Sequence, residues 1–267
     1  MPSRIALLLA VLIALAAEPR DTFRFVILGD RTGGAAPGIY EKAWQQAAAL
    51  DPAFVLTVGD TIEGVTDAVA EPQWRQIETV LVPWIKIPHY FAPGNHDVWS
   101  EASEELYEKY SGHPRHYSFD YGPAHFTVLD NSRTEDIPES ELAFLEADLK
   151  AHAAQPVKFI VSHRPSWVLK ALLRDPDFPL QKLARQYGVQ YVIAGHIHQM
   201  LHYKLDGVEY VSMPSAGGHL RDSGKYEDGW FFGYTEVEVR KNEPILRIHD
   251  LQGHVTPLTA WGAAGLR

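Results

Sequence analysis

His89-Tyr90-Phe91-Ala92-Pro93-Gly94-Asn95-His96-Asp97 is the stretch around which the chain is organised. An apolar, aromatic run stops at Pro93-Gly94, and the next three residues are an amide, an imidazole and a carboxylate. A strand that ends in this way lies at the rim of an α/β sheet, where ligand-binding residues collect. Alone, the last four residues have a local explanation, because Asn and Asp favour turns. Four more apolar runs argue against it. Residues 23–28 lead into Gly29-Asp30, residues 54–58 into Gly59-Asp60, residues 157–161 into Ser162-His163-Arg164-Pro165, and residues 191–194 into Gly195-His196-Ile197-His198. Strand after strand ends on Asp, Asn or His, an order that turns alone do not explain.

Between these runs the spacing predicts helices. Tyr40, Ala43, Trp44 and Ala47 share one face, as do Trp74, Ile77 and Leu81 within residues 71–82. Leu142, Leu145 and Leu149 do the same within 140–151. Residues 101–110 read as an acidic, solvated helix, and residues 180–187 as a further helix. Residues 115–120 and 124–130 flank Tyr121-Gly122-Pro123 as a hairpin. Residues 208–212, 234–239 and 245–248 are further strand candidates, and the tail from Gly253 has no clear pattern. Strand–helix alternation followed by a strand-rich end indicates an α/β fold with mixed sheet, open to a two-sheet arrangement.

Composition sets the limits. The chain has 267 residues, 46% hydrophobic and 22% charged, enough for one large domain, assigned to residues 18–267. Residues 1–17 are read apart from it. Arg4 gives a basic start, residues 5–17 are apolar, and Ala14-Leu15-Ala16 places small residues where a signal peptidase cuts. The run falls short of the ~20 apolar residues a spanning helix needs. The expectation is a cleaved signal peptide, a periplasmic or secreted protein and no stable membrane insertion, with an uncleaved anchor as the alternative. There is no cysteine, which excludes disulfides and thiolate ligands. A net charge of −10 disfavours nucleic acid as a partner, since a backbone binder needs a basic surface.

The donors at the strand ends are Asp30, Asp60, Asn95, His96, His163, His196 and His198. Carboxylate, amide and imidazole without sulfur suit manganese, iron or zinc. Gly29-Asp30, Gly59-Asp60, Gly94-Asn95-His96-Asp97, His163 and Gly195-His196-Ile197-His198 together resemble the calcineurin-like metallophosphoesterase superfamily, over residues 23 to about 220. The resemblance implies two stacked mixed β-sheets flanked by helices and a phosphoric ester hydrolase with two divalent metal ions (Mn, Fe or Zn). It implies Asp60 as the bridging ligand, Asn95, His163 and His196 at one ion, and Asp30 and His198 at the other. It places His96 beside the leaving group, oriented by Asp97. A hydroxide between two ions ~3.5–4 Å apart would attack phosphorus, and His96, kept cationic by Asp97, would stabilise or protonate the departing oxygen. Arg164 is a candidate clamp for the phosphate of a small phosphate-ester substrate.

One position departs from the pattern. The usual first motif is Asp-x-His, and here it reads Asp30-Arg31-Thr32. Purple acid phosphatases also lack that histidine and use a tyrosine three residues after the second-motif aspartate; in this sequence that slot is Glu63. The expectation is that Glu63 supplies the missing donor; the alternative leaves it in solvent with water in the vacancy. The loss at position 32 also raises a different function, a non-catalytic or single-metal relative that binds a phosphate ligand. His89, His113, His116, His125, His152, His249 and His254 lack ligand-like spacing. His202 and His219 lie near the His pair, and Trp99 and Trp167 follow the metal motifs, as pocket walls or as packing. Monoester and diester substrates, and the oligomeric state, stay open at this level.

Overall fold

The structure is a computed structural model, and it describes residues 22–221 and 223–262. The expected signal peptide, residues 1–17, lies outside them. In chain order the elements are β1 (Thr22–Leu28), α1 (Ile39–Ala48), β2 (Val55–Thr57), α2 (Asp67–Leu81), β3 (His89–Phe91), α3 (Glu101–Ser111), β4 (Tyr117–Tyr121), β5 (Ala124–Val128), α4 (Glu139–Ala151), β6 (Val157–Val161), α5 (Val168–Leu172), α6 (Pro179–Gln186), β7 (Tyr191–Ala194), β8 (Leu201–Leu205), β9 (Val208–Ser212), β10 (Gly233–Arg240), β11 (Glu243–Asp250) and β12 (Val255–Pro257). They form two six-stranded mixed sheets, ordered β12-β11-β10-β1-β2-β3 and β4-β5-β6-β7-β9-β8.

β1 shows why the strands read as continuous apolar runs. Its alternate residues Phe23, Phe25 and Ile27 point between the sheets, while Val26 and Leu28 point outward beneath helices. A strand covered on both faces has no solvent side to mark with polar residues. The core between the sheets is aromatic. Phe25 stacks on Phe54 at 4.8 Å and meets Phe126 edge-on at 5.2 Å, which joins the two sheets through one ring. Burying each such ring contributes ~1.5–3 kcal/mol. Helices α1, α2 and α3 cover the outer face of the first sheet, and α4, α5 and α6 that of the second.

Within each sheet β1, β2 and β3 run parallel, as do β5, β6 and β7. The carboxyl ends of β1, β2, β3, β6 and β7 therefore open on one rim, where the loops can carry ligands from both sheets to one place. The hairpin closes through two residues, Gly122 and Pro123, with Tyr121 paired to Ala124. Helix α2 begins at Asp67, four residues earlier than its apolar spacing indicated, because Pro72 sits inside it rather than at its start. Its missing N–H leaves one helical bond unmade without ending the helix. The tail does form structure: β12 pairs with β11. No described helix is long and apolar enough to cross a membrane.

The back of the second sheet is fastened by a charged knot. His125 is buried, with Nδ1 2.7 Å from Asp120 Oδ1 and Nε2 2.8 Å from Asp148 Oδ2. The His152 ring stacks on it at 3.9 Å. Burial opposes protonation of His125, but the hydrogen bonds it donates to Asp148 and Asp120 raise its pKa above the ordinary 6.5. A raised folded value means stabilisation fully present below about 6.5 and lost as pH rises through the raised value. His125→Gln should therefore lower the urea midpoint more at pH 6 than at pH 9.5.

Candidate metal centre

Each motif is delivered by a strand end and held there by backbone. Asp60, His196 and His198 adopt left-handed backbone, with φ of 54°, 68° and 61°. Side chains in that region cost ~1–3 kcal/mol each and persist where the surroundings over-determine them. The glycines before the ligands serve close approach. A Cβ on Gly94 would overlap Asp60 Oδ1, and one on Gly195 would overlap Asp30 Oδ1.

Two triads result: Asp60, His163 and His196, and Asp30, Asp60 and His198, with the candidate ligand atoms of each within 4.8 Å of one another. Asp60 belongs to both. In the first triad His163 Nδ1–H donates to the Val58 carbonyl at 2.8 Å, which leaves Nε2 as a lone pair in the neutral ring. That atom faces Asp60 Oδ1 at 3.2 Å, Asn95 Oδ1 at 3.0 Å and His196 Nδ1 at 3.2 Å. In the second, His198 Nδ1–H donates to the His219 carbonyl at 2.7 Å. Its buried Nε2 has no hydrogen-bond partner and stands 3.3 Å from Asp30 Oδ2. Lone pairs turned on carboxylates repel unless a cation lies between them, so both triads fit divalent metal ions. A proton is the lesser substitute. Burial opposes charging of His163, yet Asp60 raises it to about 9. Burial and the nearby His163 and Arg164 charges push His196 down to about 4.

Asp30, Asp60, Asn95, His163, His196 and His198 are thus brought together. Asp30 is further fixed by the His196 amide, which reaches both its oxygens at 3.0 and 2.8 Å. Glu63 is not part of either triad. One of its oxygens takes the Thr32 hydroxyl and the other the Gly34 amide, at 2.9 Å. The residue expected as a ligand therefore ties down the 31–34 loop, and Thr32, in the slot of the usual histidine, is buried as its donor.

Asp97 also differs from its expected role. It accepts the amides of Thr61, Ile62 and Gly94 at 2.8, 3.0 and 3.0 Å, which locks the loop after β2 to the loop after β3. Burial and the neighbouring Asp60 charge raise its pKa. His96 is oriented instead by the Glu63 carbonyl, which accepts Nδ1–H at 2.6 Å, while its amide donates to Asp60 Oδ1 at 2.9 Å. Arg164 lies beside the centre, with Nη1 3.4 Å from His196 Nε2. His202 pairs with Glu209 at 2.7 Å and belongs to neither triad. Trp167 is fully buried in the core under α5, and Trp99 packs under α2 and α3.

The pattern of strand ends and triads matches a known family. The family model for calcineurin-like phosphoesterase matches residues 23–200. The chain belongs to that family. Purple acid phosphatase 23 of Arabidopsis thaliana is 25% identical over 174 residues, 55% of this chain and 38% of that protein. The 3',5'-cyclic adenosine monophosphate phosphodiesterase CpdA of Haemophilus influenzae is 22% identical over 231 residues, 82% of this chain and 81% of that one. The structure of purple acid phosphatase PPD1 from yellow lupin shares the fold with a TM-score of 0.69 at 18% identity, over 88% of this chain and 53% of that chain. The chain thus spans well under two thirds of the length of both purple acid phosphatases.

Within this calcineurin-like centre, one supporting residue escaped sequence reasoning. Asn131 is buried after β5, and its Oδ1 accepts the amides of His163 and Arg164, both at 3.0 Å, while Nδ2 donates to the Arg164 carbonyl at 2.8 Å. It follows a strand end like the other motifs, which is the signal that could have found it. Asn131→Ala strands buried backbone donors and should cost about 1–3 kcal/mol in urea denaturation.

Proposed function

We propose that the protein is a metal-dependent hydrolase of small phosphoric esters. The observation that carries this reading is the pair of carboxylate- and imidazole-bearing triads that share Asp60. Asp60, Asn95, His163 and His196 would hold one divalent ion, and Asp30, Asp60 and His198 the other. An oxygen- and imidazole-rich donor set suits Mn, Fe or Zn. Bound there, such ions would supply Lewis acidity toward phosphoryl oxygens and lower the pKa of water toward neutrality.

The chain's own residues do the rest. Val58 and His219 fix the tautomers of His163 and His198 through their carbonyls, so that each ring presents Nε2 to the centre. His96, with Nδ1–H held by the Glu63 carbonyl, has Nε2 left to carry a proton to the departing ester oxygen. Arg164 would bind a phosphoryl oxygen from the His196 side. Export to the periplasm or the medium, by way of residues 1–17, belongs to the same proposal. The relatives named as phosphatase and phosphodiesterase support the reaction class without choosing between esters.

Hydrolysis of 4-nitrophenyl phosphate and bis(4-nitrophenyl) phosphate, with Mn²⁺ and with chelator, tests this. Turnover of at least one ester should vanish with chelator and return with metal. Asp60→Asn, which removes a charge from both triads, should lower kcat by at least about 100-fold, the scale on which electrostatic catalytic groups act. Folded, metal-loaded protein that turns over neither ester would point to the ligand-binding alternative raised by Thr32.

A further inference from the structure

A second arginine borders the metal centre. A cavity of about 530 Å³ runs from His196 and Arg164 to Arg221 and Trp230, past the apolar side chains of Val168 and Leu201. Arg164 occupies the His196 side. Its Nη1 is engaged by Glu135 at 2.6 Å, and its buried Nε has no hydrogen-bond partner. Arg221 occupies the other side. A Cβ on Gly33 would stand 3.3 Å from His198 Nε2 and 3.9 Å from Arg221 Nη2, so the guanidinium lies no more than about 7 Å from the ring nitrogen that faces Asp30. The two triads are therefore flanked by one guanidinium each.

Phosphoric esters differ in what they offer to such a pair. A monoester presents three terminal oxygens and up to two charges. A diester presents two terminal oxygens and one charge, and its second alcohol replaces the third oxygen with a neutral, weak acceptor. Guanidinium donors gain most from charged, unesterified oxygens. With two terminal oxygens directed at the triads, a guanidinium on each flank has a charged acceptor to spare in the monoester alone. The apolar stretch of the same cavity would then face the organic group.

We infer that Arg221 acts with Arg164 to bind the third terminal oxygen of a phosphomonoester, so that the site takes dianionic monoesters in preference to diesters, with the organic group against Val168, Leu201 and Trp230. This rests on the phosphoesterase reading of the centre. Arg221 is exposed, so its replacement leaves the core untouched.

The experiment is kcat/KM for 4-nitrophenyl phosphate and bis(4-nitrophenyl) phosphate in Mn²⁺, for wild type, Arg221→Gln and Arg221→Lys. Wild type should prefer the monoester. Arg221→Gln should lower that value by about 10- to 100-fold, mainly through KM, the range for a lost hydrogen bond to a charged group. The diester value should fall much less, and Arg221→Lys should recover part of the loss. An unchanged monoester value, or an equal fall on both esters, would overturn the inference. If wild type hydrolyses neither ester, the phosphoesterase reading fails, and calorimetric binding of orthophosphate and dimethyl phosphate at pH 8 decides the role of Arg221. Tighter binding of orthophosphate that disappears in Arg221→Gln upholds it. Equal binding of the two probes by wild type, or a preference that survives in Arg221→Gln, refutes it.

Discussion

The centre depends on a mutual repulsion that the fold enforces. Asp60 is shared by two triads whose other ring nitrogens are turned lone-pair first toward carboxylates. Neither His163 nor His198 can relieve this by flipping its tautomer, since the other nitrogen of each is committed to a backbone carbonyl. Burying such acceptors against one another is costly unless positive charge lies between them. Protonation of His163 relieves one triad in part. Divalent cations would relieve both at once, which is why the arrangement reads as a metal centre rather than as a charge network of the core.

Holding acceptors in that posture requires a stiff frame. The candidate ligands come from the parallel strands of two sheets, and the aromatic layer around Phe25, Phe54 and Phe126 packs between those sheets. Left-handed backbone at Asp60, His196 and His198 concentrates strain at the candidate ligands themselves. Asp97 and Asn131 offset it by gathering the amides of the surrounding loops. Both are polar residues with structural tasks one bond away from the chemistry. Glu63 belongs with them: its side chain fastens the loop after β1, and its carbonyl aims His96.

This division explains what was legible in the chain beforehand. Ligands announce themselves locally, because Asp or His after an apolar run is written in consecutive residues. Doubly buried strands such as β1 indicate a sheet covered on both faces, whereas the stacking of two sheets was implied by the family resemblance. The orienters were not legible, because carbonyls carry no sequence signature and their targets are set by tertiary path. Asp97 beside His96 in sequence suggested a pair, yet the chain turns between them and sends the carboxylate to the loop after β2. Glu63 had the spacing of a ligand, and only the positions of Thr32 and Gly34 show where its oxygens go. α5 is five residues long, too short for a helical period to register, and β8 is an edge strand beside β9. Arg221 lies on a loop with no periodicity to mark it.

The most direct test of the shared-aspartate centre is metal stoichiometry by mass spectrometry of the native, Mn²⁺-equilibrated protein. Two ions per chain are expected, both lost together on competition with chelator, because each depends on Asp60. A single ion bound to well-folded protein under saturating metal would contradict the double centre. No bound ion at all would contradict the reading of the triads as ligands.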